Sequence, residues 1–262
     1  MKTLLKRIVK TGVICALGWM VAACGKKEGD EIPALTVYAA AGTAPAMKEI
    51  GRAFTEKTGV PVVFNFANAG ALAKQICAGG DANIFFSANE KWMDYVEKAG
   101  KTDPATRDIL LQDTMVIIVP KGKSLDVDFT KPRGDQQFPG RFSIGDQSTP
   151  LGIYARQAFM KLGWWDALQA QLSVADVISK VLNYVVLDEA DAGVVFRSVA
   201  VSAGDKVDIV GEMPTDLHAP IRFPIAACTL PHLYTDDFLR FVKGPDAEAS
   251  FRKYGWILYK GE

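Results

Sequence analysis

From residue 35 onward the sequence alternates between two periods. Apolar runs of strand length occupy residues 35–38, 60–66, 84–87, 115–120, 142–144, 193–196, 207–210 and 223–228. Between several of them, apolar residues recur at helical spacing. Met47, Ile50 and Phe54 fall on one face, as do Leu72 with Ile76 and Trp92 with Val96. Further helices are predicted over 152–162 and 177–187. Neighbouring parallel strands need a crossover between them, and a helix is the usual one. The alternation therefore predicts an α/β fold with mostly parallel sheets. No internal repeat and no low-complexity run interrupts it.

Two β-rich runs mark a change of domain. "DTMVIIVPKG" ends in Pro120, Lys121 and Gly122 and leads into the turn-rich "KSLDVDFTKPRGDQQFPG". "HAPIRFPIAACTL" carries Pro220 and Pro224. Two such runs around a middle block read as two crossings between lobes. Residues 34–119 and 223–262 would form the first lobe and 120–222 the second.

The N-terminus reads as a targeting segment. "MKTLLKRIVK" is basic, and "TGVICALGWMVAA" is apolar but short for a membrane span. Val21-Ala22-Ala23 before Cys24 resembles a bacterial lipobox, which implies a signal peptide over 1–23 and a lipid on Cys24. The polar residues 24–33 read as a flexible tether. Cys15 would leave with the signal. Export permits oxidation, yet Cys77 on a predicted helix and Cys228 ending a predicted strand are expected as two buried free thiols.

Thirty basic residues balance thirty acidic ones. That argues against a nucleic-acid partner, which calls for a basic excess. Enzyme signatures are missing: there is no G-x-G-x-x-G, Walker loop, G-x-S-x-G or H-E-x-x-H. The only histidines are His218 and His232, and neither sits in a local nucleophile pattern. Asp188, Glu189 and Asp191 read as a solvated turn, and Trp164-Trp165 as packing. No enzyme activity, cofactor or metal site is expected.

What remains is positional. Helices are predicted to begin near Gly42-Thr43, after Asn68-Ala69-Gly70, after Thr149-Pro150, and after Asp176, a candidate N-cap. Each start exposes unpaired backbone N–H groups and roughly half a positive charge. Four starts converging on one cleft would supply about two positive charges without a single Lys or Arg. Small residues at these turns would let a ligand approach the backbone; tight packing is the other explanation.

The stretches "VYAAAGTAPAMKEIGRAF", "FNFANAGALAKQICAGGDANIFFSANEKWMDY", "PLGIYARQAFMKLGWWDAL" and "RFVKGPDAEASFRKYGW" resemble the bacterial periplasmic molybdate-binding proteins of ABC importers. The resemblance covers residues 35–259. It implies a two-lobed class II periplasmic binding fold that closes, about two hinge crossings, on a tetrahedral oxyanion. The ligand would be molybdate or tungstate, and the partners ABC permease and ATPase subunits. The protein would be a monomer on the periplasmic side of the cell envelope, anchored at Cys24. Carried over by position, the ligand contacts are Gly42, Thr43 and Ala69 from the first lobe, and Leu151, Val177 and Phe196 from the second. The family commonly has serine where Gly42 and Ala69 stand and tyrosine where Phe196 stands, so three hydroxyl donors are missing here. Thr43 would replace one, with Asn68, Ser148 or Thr149 contributing. Sulfate, phosphate or a small organic acid in the same fold is the rival reading. An exported hydrolase is a weaker one, because no nucleophile–base pair is legible.

Overall fold

The computed structural model describes residues 32–131, 136–138, 140–147 and 149–261. The expected signal peptide, Cys15, Cys24, Ser148 and all of the expected tether before residue 32 lie outside them. The first strand, β1 (Leu35–Ala40), is buried along nearly its whole length, as a central parallel strand requires. A tight turn at Ala41–Thr43 leads into α1 (Ala44–Thr58). There Met47, Ile50 and Phe54 form the buried stripe that their spacing predicts. Gly59, at φ +76°, ends the helix in the left-handed region. The unit repeats through β2 (Val62–Ala67), α2 (Ala69–Cys77), β3 (Ile84–Phe86), α3 (Glu90–Lys98) and β4 (Asp108–Asp113).

The middle block follows: β5 (Met115–Pro120), β6 (Phe142–Gly145), α4 (Pro150–Lys161), α5 (Trp165–Leu168), β7 (Leu172–Ala175), α6 (Ile178–Val186), β8 (Ala192–Phe196), α7 (Arg197–Ala203) and β9 (Val207–Glu212). The chain then returns through β10 (Ile221–Ala227), α8 (Thr235–Phe241), α9 (Pro245–Lys253) and β11 (Ile257–Leu258).

Two sheets result. The first has the order β11-β4-β10-β3-β1-β2 and the second β7-β6-β8-β5-β9. Both are mixed, not mostly parallel as expected. β1 is parallel to β2 and β3, and β6 to β7 and β8. β10 is antiparallel to β3 and β4, and β5 to β8 and β9. The reason is the connectivity. β5 and β10 are the first strands after each crossing. Each enters its sheet at the rim where the parallel strands end, so it must run back against them.

Those crossings also correct the expected boundary. The first sheet ends at Asp113, and Met115 already pairs with Phe196 of the second. Residues 115–119, read as part of the first lobe, are therefore a strand of the second sheet. The return crossing spans 213–220. Both cysteines are unbridged, but only Cys228 is fully buried; Cys77 is half-buried. Burial pushes the Cys228 thiol up to about 12, which keeps it protonated. Trp164 packs as expected, against Phe129, Phe138 and Phe159. Asp188 pairs with Lys123 in an exposed turn.

Candidate functional site

β1 and β2 run in register with Ala40 level with Ala67. Gly42 and Ala69, two residues beyond those ends, therefore leave the sheet at adjacent points of one rim. The order β3-β1-β2 makes this rim a switch point, where strand order reverses and ligands of open α/β sheets bind. Gly42 is exposed. A Cβ there would meet only the Trp256 ring, at 4.0 Å, so packing does not demand glycine. Ala69 is 4% exposed, and Thr43 is fully buried. The Thr43 hydroxyl donates to the Ala40 carbonyl at 2.7 Å. It is spent inside the turn and does not replace a missing donor. Asn68 caps α2, its side-chain oxygen accepting from Gly70 N at 2.9 Å.

The second sheet repeats the arrangement. Gly145 of β6 is level with Ala175 of β7, and β8 runs parallel on the other side of β6. Leu151, Val177 and Phe196 thus gather at one rim. Thr149 caps α4: its hydroxyl accepts from Gly152 N at 3.2 Å and donates to the Asp146 carbonyl at 2.6 Å. Its hydroxyl, too, is engaged locally. Pro150 has no N–H, and Ile153 N donates to the Thr149 carbonyl. Leu151 N is left without a partner among the described residues. α6 starts differently from expectation. Its N-cap is Val177, with no side-chain cap, and Asp176 instead lies 3.6 Å from Lys180. Val177 is 51% exposed. Phe196 closes β8, with its ring 6.5 Å from that of Tyr154, which in turn lies 5.9 Å from His218.

Polar contacts lock the first crossing where it passes between the rims. Thr114 N and Ser198 N both donate to Asp113 Oδ1, and Ser198 Oγ donates to Oδ2 at 2.6 Å. Thr114 Oγ1 reaches Glu212 at 2.8 Å. Burial pushes the Asp113 carboxyl up to about 7, against these hydrogen bonds, which favour its ionised form. Arg197, next to Phe196, is turned away: its guanidinium donates to the Gly255 carbonyl. A cavity of about 640 Å³ beside this crossing, lined in part by Gln112, Arg197 and Trp256, includes none of the six candidate positions.

At the four helix starts no Lys or Arg follows within the first three helical residues of α1, α2, α4 or α6, except Lys180 at the third position of α6, which faces Asp176. α1 and α6 have no side-chain cap. α2 and α4 spend one N–H on theirs. Such termini hold an anion through backbone N–H groups and the helix dipole, without a counter-cation. No cluster of His, Cys, Asp or Glu among the described residues could hold a metal ion.

The sequence matches the family of bacterial extracellular solute-binding proteins over residues 35–257. The chain belongs to this family. It is 38% identical to the molybdate-binding protein ModA of Escherichia coli K12 over 230 residues, 86% of this chain and 89% of that one. It is similar in structure to a substrate-binding domain ascribed to a molybdenum ABC transporter of Clostridium difficile. There the TM-score is 0.76 at 25% identity, covering 86% of this chain and 99% of the other. The sulfate-binding protein SubI of Mycobacterium tuberculosis H37Rv shares the fold, with a TM-score of 0.66 at 17% identity over 87% of each chain. Two α/β sheets joined by two crossings are thus the class II arrangement of a solute-binding protein.

Tyr154 and Asp113 escaped the sequence reading, and His218 was weighed only as a partner for a nucleophile. An aromatic residue on a helix reads as core, and a lone acid at a strand end reads as surface. Only the pairing of β5 with β8 brings Asp113 to Ser198.

Proposed function

We propose that this chain is the substrate-binding subunit of an ABC importer, and that it takes a tetrahedral oxyanion, molybdate or tungstate, between its two sheets. The observation that carries the reading is the 38% identity to a molybdate-binding protein over most of both chains. The backbone donors at the helix starts support it. A dianion held there would lie against Gly42, Thr43 and Ala69 on one rim and Leu151, Val177 and Phe196 on the other. Gly42 and Ala69 contribute through their peptides and by staying small. The partners would be permease and ATPase subunits, and the protein would bind its ligand without turning it over. It would work as a monomer on the periplasmic side of the envelope, tethered by a lipid on Cys24. Cys24→Ser should then release it from the membrane fraction or block its processing.

A second oxyanion, sulfate or phosphate, is favoured by one specific observation. Gly42, Ala69 and Phe196 offer no side-chain hydroxyl, and those of Thr43 and Thr149 are engaged with backbone carbonyls. Calorimetric titration of the purified chain with molybdate, tungstate, sulfate and phosphate decides between them. Molybdate and tungstate should bind alike and outcompete the other two. Tighter binding of sulfate or phosphate would overturn the molybdate reading.

A further inference from the structure

We propose that Tyr154 supplies the side-chain hydroxyl of the oxyanion site, donating from α4 to the ligand held at Leu151 N. The inference rests on the oxyanion reading above and assigns it a specificity-determining residue. Tyr154 stands three residues after Leu151, on the same face of α4. A helical side chain leans towards the N-terminus and covers the turn before its own Cα. The Tyr154 ring is thereby laid over the first turn, where Leu151 N has no partner among the described residues. Its contacts agree: the ring lies near Phe196, the last residue of β8 at the same rim, and near His218. Glu90, the first residue of α3, which follows a strand of the other sheet, is close enough for its charge to act on the hydroxyl.

The hydroxyl is also free of partners among the described residues. It makes no hydrogen bond to a described residue, and its shift arises from burial and Glu90 alone. Burial and that charge hold its proton above the ordinary tyrosine range, so it stays a donor at any physiological pH. The threonine hydroxyls at these helix starts are occupied. Thr43 and Thr149 donate to carbonyls, and the side-chain oxygens of Asn68 and Asn89 accept from their own helices. His218 does not compete for the hydroxyl, since its buried Nε2 has no partner. A half-buried donor with no partner among the described residues gains most from a ligand that carries charge, because hydrogen bonds to charged groups are the stronger ones.

The test is calorimetry on the full chain with molybdate, tungstate, sulfate and phosphate, comparing wild type, Tyr154→Phe and Glu90→Gln. Tyr154→Phe should weaken the preferred oxyanion by roughly tenfold or more. Its melting temperature without ligand should not change, since no hydrogen bond to a described residue is lost. Glu90→Gln removes a like charge from the dianion's surroundings and should leave binding equal or tighter. Wild-type affinity in Tyr154→Phe overturns the assignment while leaving the oxyanion reading intact. Equal weakening in Glu90→Gln also overturns it, because Tyr154 would then act only as a latch to Glu90. A wild-type chain that binds none of the four anions overturns both.

Discussion

Asp113 is a carboxyl held in the protein interior by three donors, and its titration should be visible in stability. Its folded value, about 7, lies above the ordinary 3.8. The folded state therefore binds more protons than the unfolded one between those values. The contribution is fully present below the unfolded value and is lost as pH rises through about 7. Each unit of pH in that window removes up to about 1.4 kcal/mol. Asp113→Asn keeps an acceptor for Thr114 N and Ser198 N but cannot ionise. Its melting temperature should fall less than that of wild type between pH 5 and pH 8; parallel curves would sink the assignment. Thr43 carries a different expectation. Its hydroxyl pairs with a buried carbonyl, so Thr43→Val should cost about 1–3 kcal/mol of stability in denaturant unfolding. Thr43→Ser should cost little. Oxyanion affinity should track neither hydroxyl, because that group faces the turn. At this scale the sequence was half legible. It named the positions at the rims, but which way a threonine points depends on its local carbonyls.

At the scale of elements, eight strands and the principal helices were readable because each buries a patterned face. β4, β7 and β11 were not. β4 reads Asp-Ile-Leu-Leu-Gln-Asp, too short between acids to show a period, and β11 has two residues. β7 lies between helices and merges with the start of α6. Direction within the sheets was illegible for another reason: β5 and β10 look like any apolar run, and only the crossing fixes their sense. α4 shows how an element positions the site. A Cβ on Gly152 would stand 2.1 Å from the Asp146 carbonyl oxygen and 2.3 Å from that of Gly145. Backbone atoms cannot yield as a side-chain end can. Gly152→Ala should therefore push α4 off β6, costing at least about 1–3 kcal/mol. It should weaken oxyanion binding as well, because Leu151 N moves with the helix. Denaturant unfolding and ligand titration of the same variant read both effects, and unchanged affinity would detach α4 from the site.

On the scale of the whole molecule, the two crossings differ in kind. The first is the single residue Thr114, tied on either side by Asp113, Ser198 and Glu212. The second is longer and leans on α4, where Gln157 accepts from Ala219 N and Lys161 donates to the Asp216 carbonyl. A short, hydrogen-bonded crossing beside a longer one suits rotation about the first, since hinges confine their dihedral changes to a few terminal residues. A ligand can drive that rotation only by binding the closed state better than the open one. Contacts to both rims at once would provide the difference, because neither set of helix starts meets the anion fully while the other is distant. Small-angle scattering should then show a smaller radius of gyration with molybdate at saturation than without it. Binding without compaction would mean that one rim suffices. The same contacts should raise thermal stability by about 2.7 kcal/mol at a hundredfold excess over Kd. Tyr154→Phe should reduce that gain at fixed ligand concentration, in proportion to its lost affinity. A poorly bound anion at the same concentration should produce neither the compaction nor the stabilisation, which separates closure from a general effect of salt.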